Sequence, residues 1–284
     1  MIVAVVNADD FGLSTCINEG ISVAYQQGIL RSASLMPNGE AFSDAVDRIR
    51  QLPGLGVGVH LSLVGEGPIA PINSLRGLAK QGKLPNSYVD FTRGYLLRTF
   101  TLAEIRREMR AQIDRVLNAG IQPTHLDSHQ HIHVLPGILD VTLDLAQDYK
   151  INVVRVPDDR AALFGLPRSW RSMQLAALVL LSALARKKIG KKKLKSAGVF
   201  HGLAVSGRLD TESLAAILSR LQEGVHEIMC HPGVETAALR QRYAWGYAWE
   251  TEMAALRSSA VKQIVERRGI RLRNFAEAWS ASAA

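Results

Sequence analysis

Short apolar runs alternate along the chain with longer segments in which apolar residues recur at helical spacing. Runs at 2–7, 32–36, 56–61, 124–127, 152–156, 198–203 and 227–230 predict strands, with a last one at 271–273. Between them, 15–27, 41–51, 102–119, 138–149, 169–188, 210–223 and 250–268 predict helices. The pattern is clearest over 102–119. Thr101 stands at the N-cap, Glu104 sits at capping-box spacing, and Ile105, Met109, Ile113 and Val116 form an apolar stripe. Strand–helix alternation of this kind marks an α/β protein with a parallel sheet. Seven or eight such units fit a (β/α) barrel, complete or distorted, better than an open sheet. Residues 64–98, rich in Gly, Pro and Asn, predict a long loop with little regular structure. No repeat, linker or compositional break divides the chain, so residues 1–284 read as a single catalytic domain.

Composition narrows the class. With 47% hydrophobic and 21% charged residues the chain is globular in type, and no stretch reaches the apolar length of a membrane span. Only Cys16 and Cys230 are present, which argues against a disulfide framework and for a reducing, cytoplasmic setting. The first apolar run meets Asp9 and Asp10 almost at once, without a basic leader, so no secretory signal is expected. The net charge of +8 is uneven: Arg186, Lys187, Lys188, Lys191, Lys192, Lys193 and Lys195 crowd together. They directly follow an apolar run containing Trp170, Met173, Leu175, Leu178, Val179, Leu180, Leu181 and Leu184. Such a segment can be a core helix with a solvated basic end, or it can lie at a membrane interface with lysines on lipid phosphates. No nucleic-acid fold accompanies the charge, and no nucleic-acid partner is expected.

Metal-competent residues stand at the ends of separate predicted strands. They are Asp9 and Asp10 within Asn7-Ala8-Asp9-Asp10-Phe11-Gly12, then His60, then Asp127-Ser128-His129-Gln130-His131-Ile132-His133, and finally His231 before Pro232-Gly233. In a parallel α/β fold the C-terminal strand ends open onto one face, so these segments would converge. Two imidazoles and a carboxylate can hold a divalent ion with positions left open, and such an ion acidifies water and polarises a carbonyl. A neighbouring carboxylate can take a proton, and an acid on the far side must protonate a departing amine. A two-metal phosphoesterase would need more carboxylates than can be assigned.

These motifs, together with Gly58-Val59-His60-Leu61, Pro123-Thr124-His125, Ser34 and Asn38, resemble the YdjC-like carbohydrate deacetylases over nearly the whole chain. The resemblance implies a barrel-like fold and metal-dependent removal of acetyl groups from N-acetylated sugars, chitooligosaccharides included. It implies Asp10, His60 and His129 as metal ligands, Asp9 as general base and His231 as general acid. The ion is Zn²⁺ or Mg²⁺, with Zn²⁺ favoured by two imidazoles. Asp127, His131, Arg155 and Asn38 are expected to orient ligands or touch substrate. Tyr243, Trp245, Tyr247 and Trp249 either shape an apolar site or fill core. Within the family the sequence looks most like the hopanoid-biosynthesis-associated branch. That points to an N-acetylglucosaminyl lipid at the inner face of the cytoplasmic membrane, with Lys187, Lys188, Lys191, Lys192 and Lys193 contacting its anionic surface. A soluble chitooligosaccharide deacetylase and a catalytically silent sugar- or lipid-binding protein are the alternatives.

Overall fold

The computed structural model describes residues 1–163 and 170–280. The sheet is built around β1 (Ile2–Phe11), which is buried from Val3 to its end. A strand covered on both faces needs apolar side chains in succession, hence Ile2-Val3-Ala4-Val5-Val6 without alternation. On one side of it lie β2 (Ser32–Leu35), β3 (Gly56–Leu61) and β4 (Leu126–Ser128), and on the other β5 (Val199–His201) and β6 (Gly224–Cys230). The order is β4-β3-β2-β1-β6-β5, all parallel, with β7 (Arg271–Leu272) beside the start of β1. Single parallel bridges, Leu126 to Val154 and Val153 to Lys195, carry the sheet past β4 toward the chain entering β5. The result is an α/β fold whose curved parallel sheet makes a distorted (β/α) barrel.

Helices α1 (Thr15–Gln27), α2 (Phe42–Ile49), α3 (Tyr88–Leu96), α4 (Leu102–Asn118) and α5 (Ile138–Asp148) belong to the first half of the chain. The second half contributes α6 (Trp170–Lys191), α7 (Thr211–Arg220), α8 (Ala237–Arg242), α9 (Trp249–Arg257) and α10 (Ser259–Arg267). The N-caps follow from sequence: Ser14 accepts from Ile17 N, Asp210 from Ser213 N, and Thr101 with Glu104 forms the expected capping box.

Several expectations are corrected. Residues 64–98 hold a short 3₁₀ turn (Ile72–Ser74) and α3, and bury Leu75, Leu78, Leu84 and Phe91. This segment is ordered from α4: Glu108 accepts the Ile69 and Ala70 amides, and Glu104 accepts those of Gly77 and Leu78. The strand expected at 152–156 shrinks to single bridges. Val154 and Val153 pair with different neighbours, and the Arg155 carbonyl turns to the His133 ring at 3.0 Å. The helix expected at 250–268 divides at Ser258, whose ψ of 132° is extended. The helix expected at 169–188 runs on to Lys191, while positions 168 and 169 lie outside the described residues.

Helix α1 meets the turn that follows β6 with no space between backbones. A Cβ on Gly20 would lie 2.3 Å from Gly233 Cα. Gly20→Ala must therefore displace the His231-Pro232-Gly233 turn, and overpacking of this kind costs about 1–3 kcal/mol. Urea unfolding should show that loss together with reduced activity; an unchanged midpoint would mean the two backbones yield freely.

Candidate active site

The end of β1 departs from regular strand geometry. The pairing register with β2 shifts between Ala8 and Phe11, and Asp10 adopts φ +66°. This bulge turns consecutive carboxylates, which would face opposite sides of a flat strand, into one cavity. Asp9 and Asp10 both line a space of about 360 Å³ with His60, His129, His131 and His231. The sequence-predicted segments thus converge at the C-terminal ends of β1, β3, β4 and β6.

Beneath the cavity lies Arg155, fully buried and surrounded by acids. Its Nη1 and Nη2 donate to the two Asp9 oxygens, each at 2.7 Å, and Nη1 also lies 2.7 Å from Asp127 Oδ2. Nε donates to Glu227 Oε1 at 2.6 Å. Asn7 Nδ2 donates to Asp9 Oδ1 at 2.9 Å and to Ser34 Oγ at 2.8 Å, and Ser34 donates to Asp127 Oδ2 at 2.7 Å. Asp127 is buried, which alone would raise its pKa, but Arg155 and His60 hold it far below the usual carboxylate range.

Asp10, His60 and His129 bring one ligand atom each within 4.8 Å of one another; Asp9, His60 and Asp127 form a second such group. Asp127 Oδ1 accepts from His60 Nδ1 at 2.9 Å, which leaves His60 Nε2 aimed at Asp10 Oδ1, 3.5 Å away. With metal bonds of about 2.0–2.1 Å, tetrahedral ligand atoms stand roughly 3.3–3.4 Å apart. The donor set therefore fits one divalent cation. Charge supports the fit. Burial pulls the His60 pKa down, yet Asp127, Asp9 and Asp10 outweigh it and push the ring up to about 10. Surroundings of this sign favour a cation on the cavity side. Asp10 is held well below its ordinary value against its own burial, chiefly by His129.

The alternating histidines separate into different surroundings. His129 Nδ1 lies 2.9 Å from Asp10 Oδ1. His131 lines the cavity with a buried Nδ1 that has no partner, and burial and Arg155 keep it neutral by lowering its pKa well below the usual value. His133 is bolted between Ser128 Oγ at 2.7 Å and the Arg155 carbonyl at 3.0 Å. Gln130 and His131 both have φ +55°, and this left-handed kink aims His129 and His131 into the cavity. Opposite them, Trp245 lies 5.5 Å from the His129 ring and Tyr247 lies 4.9 Å from that of His231, so these aromatics wall the site. Tyr243 and Trp249 are buried behind them.

Asn38 is not among the cavity-lining residues; its Nδ2 donates to the Gly67 carbonyl at 3.1 Å and ties down the 64–98 segment. The lysine cluster is also divided. Lys188 binds Asp140 at 2.6 Å and Lys192 binds Asp144 at 2.8 Å, so these two clamp α6 onto α5. Sequence reasoning missed Glu227 and Glu252. Glu227 had one signal, a carboxylate followed directly by the apolar Ile228-Met229-Cys230 of a buried strand.

Burial pushes the Glu227 pKa up from its ordinary 4.5 to about 7, against the pull of Arg155. The folded state thus retains a proton that the unfolded chain releases above about pH 4.5. This contribution is full below that pH and is lost as pH rises through about 7. In metal-stripped protein, Glu227→Gln should flatten the decline of stability across this window, measured by urea unfolding at about pH 5 and about pH 8. Parallel wild-type and variant profiles would refute it.

Known proteins resemble this chain over nearly its full length. A carbohydrate deacetylase of Brevibacillus brevis is 32% identical over 275 residues, covering 96% of this chain and 98% of that one. A chitooligosaccharide deacetylase of Salmonella typhimurium is 32% identical over 278 residues, covering 96% and 98%. A crystal structure from Enterococcus faecalis V583, described as a cellobiose-phosphate cleavage protein, aligns with a TM-score of 0.74 at 26% identity, covering 96% of this chain and 97% of that one. The YdjC-like protein family matches residues 3–267, and the chain belongs to that family.

Proposed function

We propose that this protein is a metal-dependent hydrolase that removes the acetyl group from an N-acetylated amino sugar. The observation that carries the reading is one cavity holding a cation-ready Asp10–His60–His129 cluster, a separately tethered carboxylate at Asp9, and an imidazole at His231. Two imidazoles in the cluster favour Zn²⁺ over Mg²⁺. When bound, the ion polarises the acetamide carbonyl and acidifies water. Asp9, oriented by Arg155 and Asn7, takes the proton of the attacking water on a carboxylate oxygen. His231 delivers a proton to the departing nitrogen, which is too basic to leave as an anion. His131 lines the same cavity as a further substrate contact, and Trp245 and Tyr247 offer flat apolar faces to a sugar ring.

We read the substrate as lipid-linked, an N-acetylglucosaminyl hopanoid. Met173, Leu180 and Leu184 of α6 are exposed, as is Val89 of α3. Tyr88 at the start of α3 meets Gln174 of α6, and its amide donates to Gln130, a residue of the cavity wall. An exposed apolar face of α6, linked to the cavity wall through Gln174, Tyr88 and Gln130, suits a substrate whose sugar projects from a membrane. No helix among the described residues is long and apolar enough to cross one. The second reading, a soluble chitooligosaccharide deacetylase, is favoured by the name of the Salmonella relative.

Acetate release from an N-acetylglucosaminyl lipid and from chitobiose, with and without Zn²⁺, decides between them. The expected result is Zn²⁺-dependent release from the lipid, reduced about 10²–10⁴-fold in Asp9→Asn. Comparable release from chitobiose would move the substrate to soluble oligosaccharides, and release from neither would defeat the hydrolase reading. At the membrane, Lys187, Lys191 and Lys193 have no acidic partner among the described residues. Each is worth about 1 kcal/mol near an anionic surface, so replacing all three by Ser should weaken binding to phosphatidylserine vesicles roughly 100-fold. Unchanged sedimentation with vesicles would remove the membrane contact.

A further inference from the structure

Glu252 is a fully buried carboxylate on α9 that reaches the cavity floor from outside the sheet. Its Oε2 accepts the backbone N–H of His231 at 2.5 Å, and its Oε1 accepts that of Leu209 at 3.2 Å. The same Oε2 lies 3.9 Å from His231 Nδ1, a buried ring nitrogen without a hydrogen-bond partner. A buried donor left unpaired costs about 1–3 kcal/mol, and Glu252 is the carboxylate nearest to it. Other titratable groups around the ring come from other elements. Tyr247 packs on it, Asp9 and Asp10 stand across the cavity on β1, and His129 and His131 stand on the far wall.

We infer that Glu252 is the positioning residue for His231: it fixes the backbone at the end of β6 and takes Nδ1–H, so that Nε2 presents its proton to the leaving nitrogen. No atom of Glu252 touches substrate; it acts through the imidazole. The 3.9 Å separation is beyond hydrogen-bond reach, so this role requires the ring to turn toward Oε2 when it takes up its proton. The carboxylate then sets the tautomer, and it stabilises the imidazolium that must exist before the proton is given up. Because α9 also carries Trp249 against the 231–233 turn, the acid is supported from the end of the chain and the metal cluster from its first half.

The inference rests on the hydrolase reading, and the test separates the two. Glu252→Gln is assayed on an N-acetyl amino sugar, whose nitrogen must be protonated to leave, and on 4-nitrophenyl acetate, whose phenolate leaves unaided. A positioning role predicts a fall in kcat for the amide of about 10- to 100-fold with KM little changed, while ester turnover holds within about twofold. Equal loss on both substrates would overturn it in favour of a purely structural carboxylate. Glu252→Asp, which keeps the charge, should restore part of the amide turnover, and no rescue would count against the role. Histidine ¹⁵N spectra give a readout independent of activity. Neutral His231 should be the Nδ1–H tautomer in the wild type and lose that preference in Glu252→Gln. Should the wild type cleave neither substrate, the hydrolase reading falls, and the tautomer alone then decides whether Glu252 orients the ring.

Discussion

The guanidinium of Arg155 is the constraint on which the rest of the structure depends. Three carboxylates from three strands converge on it: Asp9 from β1, Asp127 from β4 and Glu227 from β6. Taking ions such as Arg155, Asp9 and Asp127 out of water costs several kcal/mol each, and only good geometry recovers it. A planar fork with five donors makes four contacts here, two of them a bidentate pair to Asp9, where an ammonium has only three donors. The backbone of Arg155 is used as well, since its carbonyl fixes His133 and thereby the loop carrying His129 and His131. One residue thus ties the strands together and fixes the posture of the histidine loop. It also leaves the acids in excess over the single cation, so the centre of the barrel remains short of positive charge.

That shortage explains how identical residue types come to do different things. His60 lies against Asp127, Asp9 and Asp10 and is driven toward the charged form, whereas His125 and His133 are buried where desolvation prevails and their pKa falls to about 4. His125 needs its own room: a Cβ on Gly58 would lie 2.4 Å from the ring, so glycine is required in β3 where the imidazole crosses it. Environment, more than identity, divides the histidines into those that face the acids of the cavity and those that fasten the scaffold behind it.

Much of this was readable in the residues, for reasons that also explain the exceptions. The order of strands and helices followed from apolar periodicity, and convergence of the metal-competent side chains followed from parallel topology. The 64–98 segment was not readable, because its order comes from Glu104 and Glu108 on a later helix accepting its amides, a long-range device without local pattern. Asn38 stands beside a motif yet serves a loop. Lys188 and Lys192 sit in what looks like a uniform basic run, and only the helix packing shows that Asp140 and Asp144 claim them. Glu252 was invisible for a related reason: it lies on a helix that reads as ordinary and amphipathic, and only the packing of α9 turns it toward His231.

The central strand has a consequence for how the chain is made. β1 pairs with a strand more than two hundred residues further along the chain, its ladder on that side running from Ile2 opposite Gly224 to Ala8 opposite Cys230. Until β6 is made, β1 has β2 on one side and an open hydrogen-bonding edge on the other. Loop closure across such a separation is slow, and an exposed edge invites pairing with other chains. Asp9 and Asp10 interrupt that strand at its far end, and charges there oppose edge-to-edge stacking before Arg155 arrives to neutralise part of them. Carboxylates gathered for the cavity thus sit where an unpaired strand edge most needs charge.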